Sequence, residues 1–378
     1  MRTDVFLTRT GAFLPFAAVG NDEIEQVLGQ VGGKPSRARR IVLRSNGITS
    51  RHYAIDRSTG RPGFSNAQLA AHAIRAMGDV GAVDCLAAGT SLPDQLLPGH
   101  AVMVHGELGW PRLEAVSMAG VCLAGTAALK HAWLAVRSGD ARRAVASGSE
   151  LVSPILLANH FEPEFEHKLQ ALEKHPEIAF EKDFLRWMLS DGAGAVLLEA
   201  QPRGPLSLRI EWIELSSAAN ELPVCMYAGA DKTADGSLRG WKDTAAADWG
   251  ATSLFSIKQD VRLLNEHIVR ATLTEPLAAL IAKRGLRAGQ IDWFLPHLSS
   301  NFFVQPMIDG LAAVGLPIPR ERWFGNLETK GNTGSASPFI MLDELFRSGR
   351  IRPGHKLLMF VPESGRFSCG FVFMEAVS

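Results

Sequence analysis

The stretch Arg137-Ser138-Gly139-Asp140-Ala141-Arg142-Arg143-Ala144-Val145-Ala146-Ser147-Gly148 has a counterpart later in the chain, Arg347-Ser348-Gly349-Arg350-Ile351-Arg352-Pro353-Gly354-His355-Lys356-Leu357-Leu358-Met359-Phe360-Val361. In both, Arg-Ser-Gly ends an amphipathic helix, with the glycine able to take the left-handed conformation that closes it. In both, the apolar run that follows reads as a buried strand, Arg143–Gly148 and Lys356–Val361. Upstream, Val83-Asp84 and Ile291-Asp292 each introduce another strand. Roughly 40 residues after each aspartate a further landmark appears, Cys122 in one copy and Asn332 in the other, where a helix begins. One supersecondary unit is therefore present twice. A pseudo-twofold axis between the copies would bring equivalent loop ends together. Cys122 and Asn332, which open equivalent helices, and His297, which follows the strand of the second copy, are expected to meet at one site.

The rest of the chain alternates strands with helices, the pattern of a layered α/β fold. Val83–Ala88 reads as a buried strand ending in Gly89-Thr90-Ser91, and Gly194–Glu199 as another. Ser65 can N-cap a helix carrying Leu69, Ala70, Ile74 and Met77. Gly120–Arg137 is expected to be helical. Asp260–Arg284 has the period of a long amphipathic helix that Pro276 must kink or split. Between Pro154 and Asp191 the repeat is interrupted by a segment with His160, His167 and His175 and the aromatics Phe161, Phe165, Phe180, Phe184 and Trp187. It reads either as a surface hairpin or dimer contact, or as a lid over a channel.

Composition narrows the function. The 378 residues are 46% hydrophobic and 21% charged, with 39 basic and 39 acidic side chains. That balance fits a packed globular protein and supplies no global positive field for nucleic acid or an anionic membrane. No run approaches the roughly 18 apolar residues of a membrane span. Gly11–Gly20 faintly mimics a signal peptide, but Asp4 and Pro15 argue for a first strand and loop. Cys85, Cys122, Cys225 and Cys369 have neither zinc-ligand spacing nor the density of a disulfide framework, so reduced thiols, a cytoplasmic setting and no metal are expected.

Four short segments carry candidate chemistry. Cys122 lies among small residues in Gly120-Val121-Cys122-Leu123-Ala124-Gly125, where a helix N-terminus would favour its thiolate; an isolated cysteine is otherwise a small buried hydrophobe. His297, in Pro296-His297-Leu298-Ser299, sits beyond the carboxyl end of a strand, where α/β sheets place ligands. Asn332, in Gly331-Asn332-Thr333-Gly334-Ser335-Ala336-Ser337, can donate to an oxyanion or simply cap the next helix. The turn Pro362-Glu363-Ser364-Gly365-Arg366 contains a glycine whose N–H, with that of Cys122, could form an oxyanion hole. No G-x-S-x-G and no G-x-x-x-x-G-K occurs, which removes the signatures of a serine hydrolase and a nucleotide loop.

Together with Asp191-Gly192-Ala193-Gly194-Ala195, these motifs make nearly the whole chain resemble the thiolase-fold ketoacyl-acyl-carrier-protein synthase III family. The resemblance implies a five-layered αβαβα fold of two halves, about 1–205 with a helical insertion near 155–190 and 206–378, and a homodimer. It implies that Cys122 takes up an acyl group as a thioester, that His297 and Asn332 hold the second thioester, and that the Cys122 and Gly365 amides bind the oxyanion. Substrates would arrive on CoA or on the phosphopantetheine of an acyl carrier protein, with no permanent cofactor. Arg44, from the basic run Lys34, Arg37, Arg39, Arg40, Arg44 and Arg51, would meet that carrier at the entrance. Two features depart from the family: Ser364-Gly365-Arg366 replaces a Gly-Gly-Gly turn, with Arg366 expected to charge the mouth, and the insertion is long. These resemble the branch that condenses two acyl chains and closes a cyclohexanedione or dialkylresorcinol ring, for which Glu150 would be the base. The alternatives are an ordinary starter synthase, joining acyl-CoA to malonyl carrier protein, and a non-catalytic partner subunit.

Overall fold

The computed structural model describes residues 3–36, 39–162 and 185–378. His167, His175, Phe165, Phe180 and Phe184 of the expected insertion, and Arg37, lie outside them. Nine strands form one sheet among the described residues: β1 (Phe6–Phe13), β2 (Cys85–Thr90), β3 (Glu114–Ala119), β4 (Arg143–Glu150), β5 (Gly192–Glu199), β6 (Ser207–Ser217), β7 (Trp293–Pro296), β8 (Lys356–Glu363) and β9 (Ser368–Val377). Their order across the sheet is β7-β8-β9-β6-β1-β5-β4-β2-β3.

This order contains the repeat. β2 runs parallel to β4, β4 antiparallel to β5, and β5 antiparallel to β1. In the same way β7 runs parallel to β8, β8 antiparallel to β9, and β9 antiparallel to β6. In the sheet the two sets are joined through the pairs Phe6–Arg209 and Leu7–Leu208 of β1 and β6. β3 extends one edge, whereas a single parallel bridge between Phe294 and Trp323 stands at the other.

Seven helices position the site: α1 (Asn66–Arg75), α2 (His100–Leu108), α3 (Ala124–Ser138), α4 (Val261–Val269), α5 (Glu275–Arg284), α6 (Val304–Ala313) and α7 (Ser337–Arg347). Side-chain alternation along the strands sorts them into layers, because successive residues of a strand face opposite sides. Ala144 and Ala146 of β4, Leu357, Met359 and Val361 of β8, and Leu129, Trp133, Leu342 and Leu345 of α3 and α7 share one core. Val145 of β4 and Leu197 of β5 face a second core with Leu69 and Ile74 of α1. Leu358 and Phe360 of β8 face a third with Leu277 of α5 and Leu311 of α6. The inner faces of both strand sets thus pack on α3 and α7, and the remaining helices cover the outside, giving an αβαβα sandwich of the thiolase type.

Local signals explain the boundaries. Ser65 caps α1 in a full capping box with Gln68, and Gly139 ends α3 in the left-handed conformation. The helix expected over Asp260–Arg284 is split: Asp260 caps α4 by accepting the Leu263 N–H, a π turn spans Arg270–Thr274, and α5 follows with Pro276 in its first turn. Pro276 lacks the N–H that an uninterrupted helix would bond to Thr272, and the widened turn accommodates the loss. α3 begins at Ala124 rather than Gly120, so Cys122 stands just ahead of the helix. Among the described residues, no helix is long and apolar enough to cross a membrane.

Candidate active site

The strands end, and the middle helices begin, around a cavity of about 320 Å³ whose lining includes Cys122, Glu150, His297, Asn332, Ser91 and Ser364. Residues far apart in sequence reach it because each occupies an equivalent loop of the repeat. The rest of the wall is mainly apolar, with Leu92 and Val152 from one side, Val269, Thr272 and Leu273 from the π turn and its approach, and Met307 from α6.

His297 continues the β7–β8 ladder by donating its backbone N–H to Phe360 O at 2.8 Å. Its ring is 1% exposed, and neither Nδ1 nor Nε2 has a hydrogen-bond partner. Burial alone lowers its pKa to about 4, so it is neutral at pH 7. Two unpartnered polar atoms in a buried ring are costly unless a ligand satisfies them.

Asn332 fills both roles open to it from sequence. Its Oδ1 accepts the Gly334 N–H at 3.0 Å, capping the turn into α7. With Oδ1 so engaged, the Nδ2 amide is the part left to donate toward a ligand. The backbone of this residue is pinned by Asn332 N–H to Met188 O and Ser190 N–H to Asn332 O.

Glu150 is 1% exposed and ends β4. It accepts the Ser91 N–H at 3.2 Å, the Ser91 hydroxyl at 2.5 Å and the Ser335 N–H at 3.0 Å. Burial raises its pKa, and these donors oppose the rise. Its structural role is thereby visible: it joins the loop after β2 to the turn before α7. Gly334 has φ +51°, and a Cβ there would lie 2.9 Å from the Glu150 carboxyl, so glycine is required for the approach.

Cys122 differs from expectation. Its pKa is raised, by burial first and then by the Glu363 and Glu150 carboxylates. A helix terminus contributes about 0.3–1 kcal/mol, while each pKa unit corresponds to about 1.4 kcal/mol, so desolvation outweighs the dipole. Glu363 further weakens the terminus by accepting the Val121 N–H at 2.8 Å and the Leu123 N–H at 3.0 Å. Cys85, Cys225 and Cys369 are also buried, their thiols pushed up to about 12. What distinguishes Cys122 is its place in the cavity wall, not an acidic thiol.

Other residues singled out from the sequence lie outside the cavity wall. Gly365 does not line the cavity; its carbonyl accepts the Cys225 and Met226 N–H groups, and the neighbouring Ser364 faces the cavity instead. Arg366 is exposed, and its Nε–H donates to Leu222 O. Arg51 is fully buried, donating to Asn21 Oδ1 and to the Val19 and Trp187 carbonyls, and Arg39 pairs with Glu25. Arg44 is exposed on the helix Arg39–Asn46, which packs against Asn301–Phe303, and Phe303 lines the cavity. Sequence reasoning missed the segment between β6 and α4. It folds into strand pairs of two or three residues and supplies Met226, Tyr227, Ile257 and Gln259 to the wall, with Gln259 Nε2 donating to Ser364 Oγ at 2.9 Å. Lys232 and Lys258 of this segment pair with Asp260 and Asp231.

Away from the cavity, Cys85, Glu114 and His131 hold potential metal-ligand atoms within 4.8 Å of one another. His131 Nε2 lies 3.2 Å from Glu114 Oε1 at a partly exposed position, an ordinary surface pair.

Comparison with known proteins agrees with this architecture. Residues 281–373 match the family model described as 3-oxoacyl-[acyl-carrier-protein] synthase III C terminal. The chain is 28% identical over 366 residues to the beta-ketoacyl-[acyl-carrier-protein] synthase III of Bordetella petrii, covering 94% of each. Among solved structures, FabH of Pseudomonas aeruginosa PAO1 is similar with a TM-score of 0.72 and 19% identity, covering 99% of this chain and 100% of that one. OleA of Xanthomonas campestris, solved with bound lauric acid and lauroyl-CoA, is similar with a TM-score of 0.71 and 19% identity, again covering 99% and 100%.

Proposed function

We propose that this chain, an acyltransferase of the thiolase-fold ketoacyl-acyl-carrier-protein synthase III superfamily, loads an acyl chain onto Cys122 and condenses it with a malonyl unit carried on acyl carrier protein. The observation that carries this reading is the shared cavity: a thiol, an unpartnered neutral imidazole and a carboxamide stand together against an apolar wall. The apolar wall suits an alkyl chain, and the similarity to an OleA solved with bound lauroyl-CoA supports that reading.

In this mechanism the Cys122 thiol attacks the acyl thioester carbonyl and the carrier thiol leaves, giving an S-acyl enzyme. The thiol is not ionised before the substrate binds, so its proton must leave as the S–C bond forms; the neutral His297 ring in the same cavity takes it and passes it to the departing carrier sulfur, returning to the neutral form. The malonyl thioester then binds with its carbonyl oxygen facing His297 and the Asn332 amide. Loss of carbon dioxide places negative charge on that oxygen, where neutral donors fixed in advance stabilise it. The resulting carbanion attacks the Cys122 thioester, and the thiolate is the leaving group. Arg44, exposed on the helix that packs against Asn301–Phe303, would attract the carrier's phosphate or acidic face.

A second reading is ring formation from two acyl chains, and the position of Glu150 favours it. Its carboxyl is in the cavity wall with a raised pKa, properties of a base for the activated methylene of a β-ketoacyl group. Product analysis separates the two. With acyl-CoA and malonyl carrier protein, mass spectrometry should find an acyl adduct on Cys122 and a β-ketoacyl product two carbons longer. With a β-ketoacyl thioester and an unsaturated acyl thioester, a cyclic dione would establish the second reading. Glu150→Gln, which keeps an acceptor for the Ser335 N–H, should abolish only the cyclic product. Absence of any adduct on Cys122 would sink both.

A further inference from the structure

The last residues of β4 and β8 occupy equivalent places in the two halves, and both are glutamates: Glu150 and Glu363 close strands of eight residues each. Each carboxylate reaches across to the other half and accepts backbone N–H groups just ahead of that half's middle helix. Glu150 takes the Ser335 N–H before α7; Glu363 takes the Val121 and Leu123 N–H groups before α3, through one oxygen. The two then differ in what they face. Glu150 forms part of the cavity wall, whereas Glu363, 9% exposed, stands behind the turn that carries the nucleophile.

The consequence is geometric. The amides on both sides of Cys122 point to the same carboxylate oxygen. The amide between them, that of Cys122, is not among those this oxygen takes, which leaves it for the carbonyl of an acyl group bound to the Cys122 sulfur. Gly120, at the start of this turn, is close enough to Glu363 that a Cβ there would come within 3.3 Å of Oε2. We propose that Glu363 is a positioning residue for Cys122, clamping the turn so that the Cys122 N–H faces the oxyanion of the acyl-transfer intermediate. This rests on the reading that Cys122 is the acylated residue.

The clamp has an electrostatic side. The titratable groups facing the thiol are Glu363 from the end of β8, Glu150 from the end of β4 and His297 after β7. Of the two carboxylates, Glu363 acts more strongly against ionisation of the thiol. It adds to burial, the larger cause, in keeping the sulfur protonated, while holding the backbone ready.

Two variants of the full-length protein separate these effects. Glu363→Gln keeps an acceptor oxygen for the two amides and removes the charge. Its Cys122 should be alkylated by iodoacetamide about tenfold faster at mildly alkaline pH, the effect of roughly one pKa unit, with the whole rate profile displaced to lower pH. Glu363→Ala removes the acceptor as well, and kcat for acyl transfer should fall by roughly 10²–10³, as for loss of an oxyanion donor, with KM for the acyl donor unchanged. Glu363→Gln should recover most of that kcat. Wild-type kcat in Glu363→Ala overturns the proposal, as does a Glu363→Gln variant that recovers none of the lost kcat; a Glu363→Gln alkylation profile that superimposes on wild type overturns its electrostatic side. If Glu363→Ala does not fold, Glu363→Asp, whose shorter side chain withdraws the acceptor from the two amides, should show the same fall in kcat, and wild-type kcat there overturns the proposal. Alkylation needs no acyl donor, so absence of an acyl adduct on wild-type Cys122 would refute the nucleophile reading while the profile still reported on Glu363.

Discussion

At the scale of single residues, His297 sets the pH behaviour. Its pKa in the folded chain is about 4, against 6.5 for a free histidine, and the sole cause is burial. The neutral ring therefore persists well below pH 6.5, and kcat/KM for acyl loading should stay on its plateau until the pH nears 5. An acid limb centred at 6.5 would show the ring to be solvated. The stability effect has a definite sign. Because the folded pKa is depressed, the contribution is complete above pH 6.5 and is lost as the pH falls toward 4, since the unfolded chain takes up the proton first. Thermal melts of wild type should drop through this window more steeply than those of His297→Asn, which has no proton to gain.

Residue type and local context pointed to Cys122, His297 and Asn332, which the fold brings to one cavity, but not to the state of each side chain. The small residues around Cys122 suggested a helix N-terminus that favours thiolate. Whether a thiol ionises depends on burial and on charges distant in sequence, and Glu363 lies on a strand of the other half. Arg51 was grouped with a basic surface run for the same reason: a run of arginines does not say which of them points inward. Its side chain instead closes a buried set of carbonyls.

At the scale of elements, what could be read was what is periodic or punctuated. β4 and β8 alternate between two cores, α3 ends at Gly139, and Pro276 breaks the helix where its missing N–H requires. The wall made by the segment between β6 and α4 was not legible, because strands of two or three residues carry no period. The π turn at Arg270–Thr274 is where an element meets specificity. It carries Thr272 and Leu273 into the cavity wall, with Val269 directly before it. Val269→Phe should therefore shorten the longest acyl chain accepted. Discrimination per methylene in an apolar pocket is about 1–3 kcal/mol, or 10–200-fold. kcat/KM should fall by that range for the longest chains and stay near wild type for the shortest. A uniform loss across chain lengths would mean that Val269 does not contact the chain.

At the scale of the whole molecule, the sheet is finished at one edge and open at the other. Beside β7, the bridge from Phe294 to Trp323 covers the strand. β3 is bonded only to β2, and its residues are exposed or half-buried along the whole length. A free edge of this kind invites pairing with another strand unless charge, proline or a covering segment blocks it. β3 has one charged residue, Glu114, and no proline. In the loop before α2, Leu96 is 70% exposed and Leu97 85% exposed, a large apolar area to leave in water. A second copy related by a twofold axis would pair β3 with its equivalent and cover such surfaces, since an isologous contact uses the same patch on both chains. The chain, 40.9 kDa, should therefore sediment at twice that mass. Leu97→Asp combined with Val116→Lys places charge on the loop and on the open strand without touching the cavity wall, and should shift the protein to the single-chain mass at micromolar concentration. A wild-type protein that sediments as one chain, or a double variant that stays paired, would show that this edge is not where copies meet.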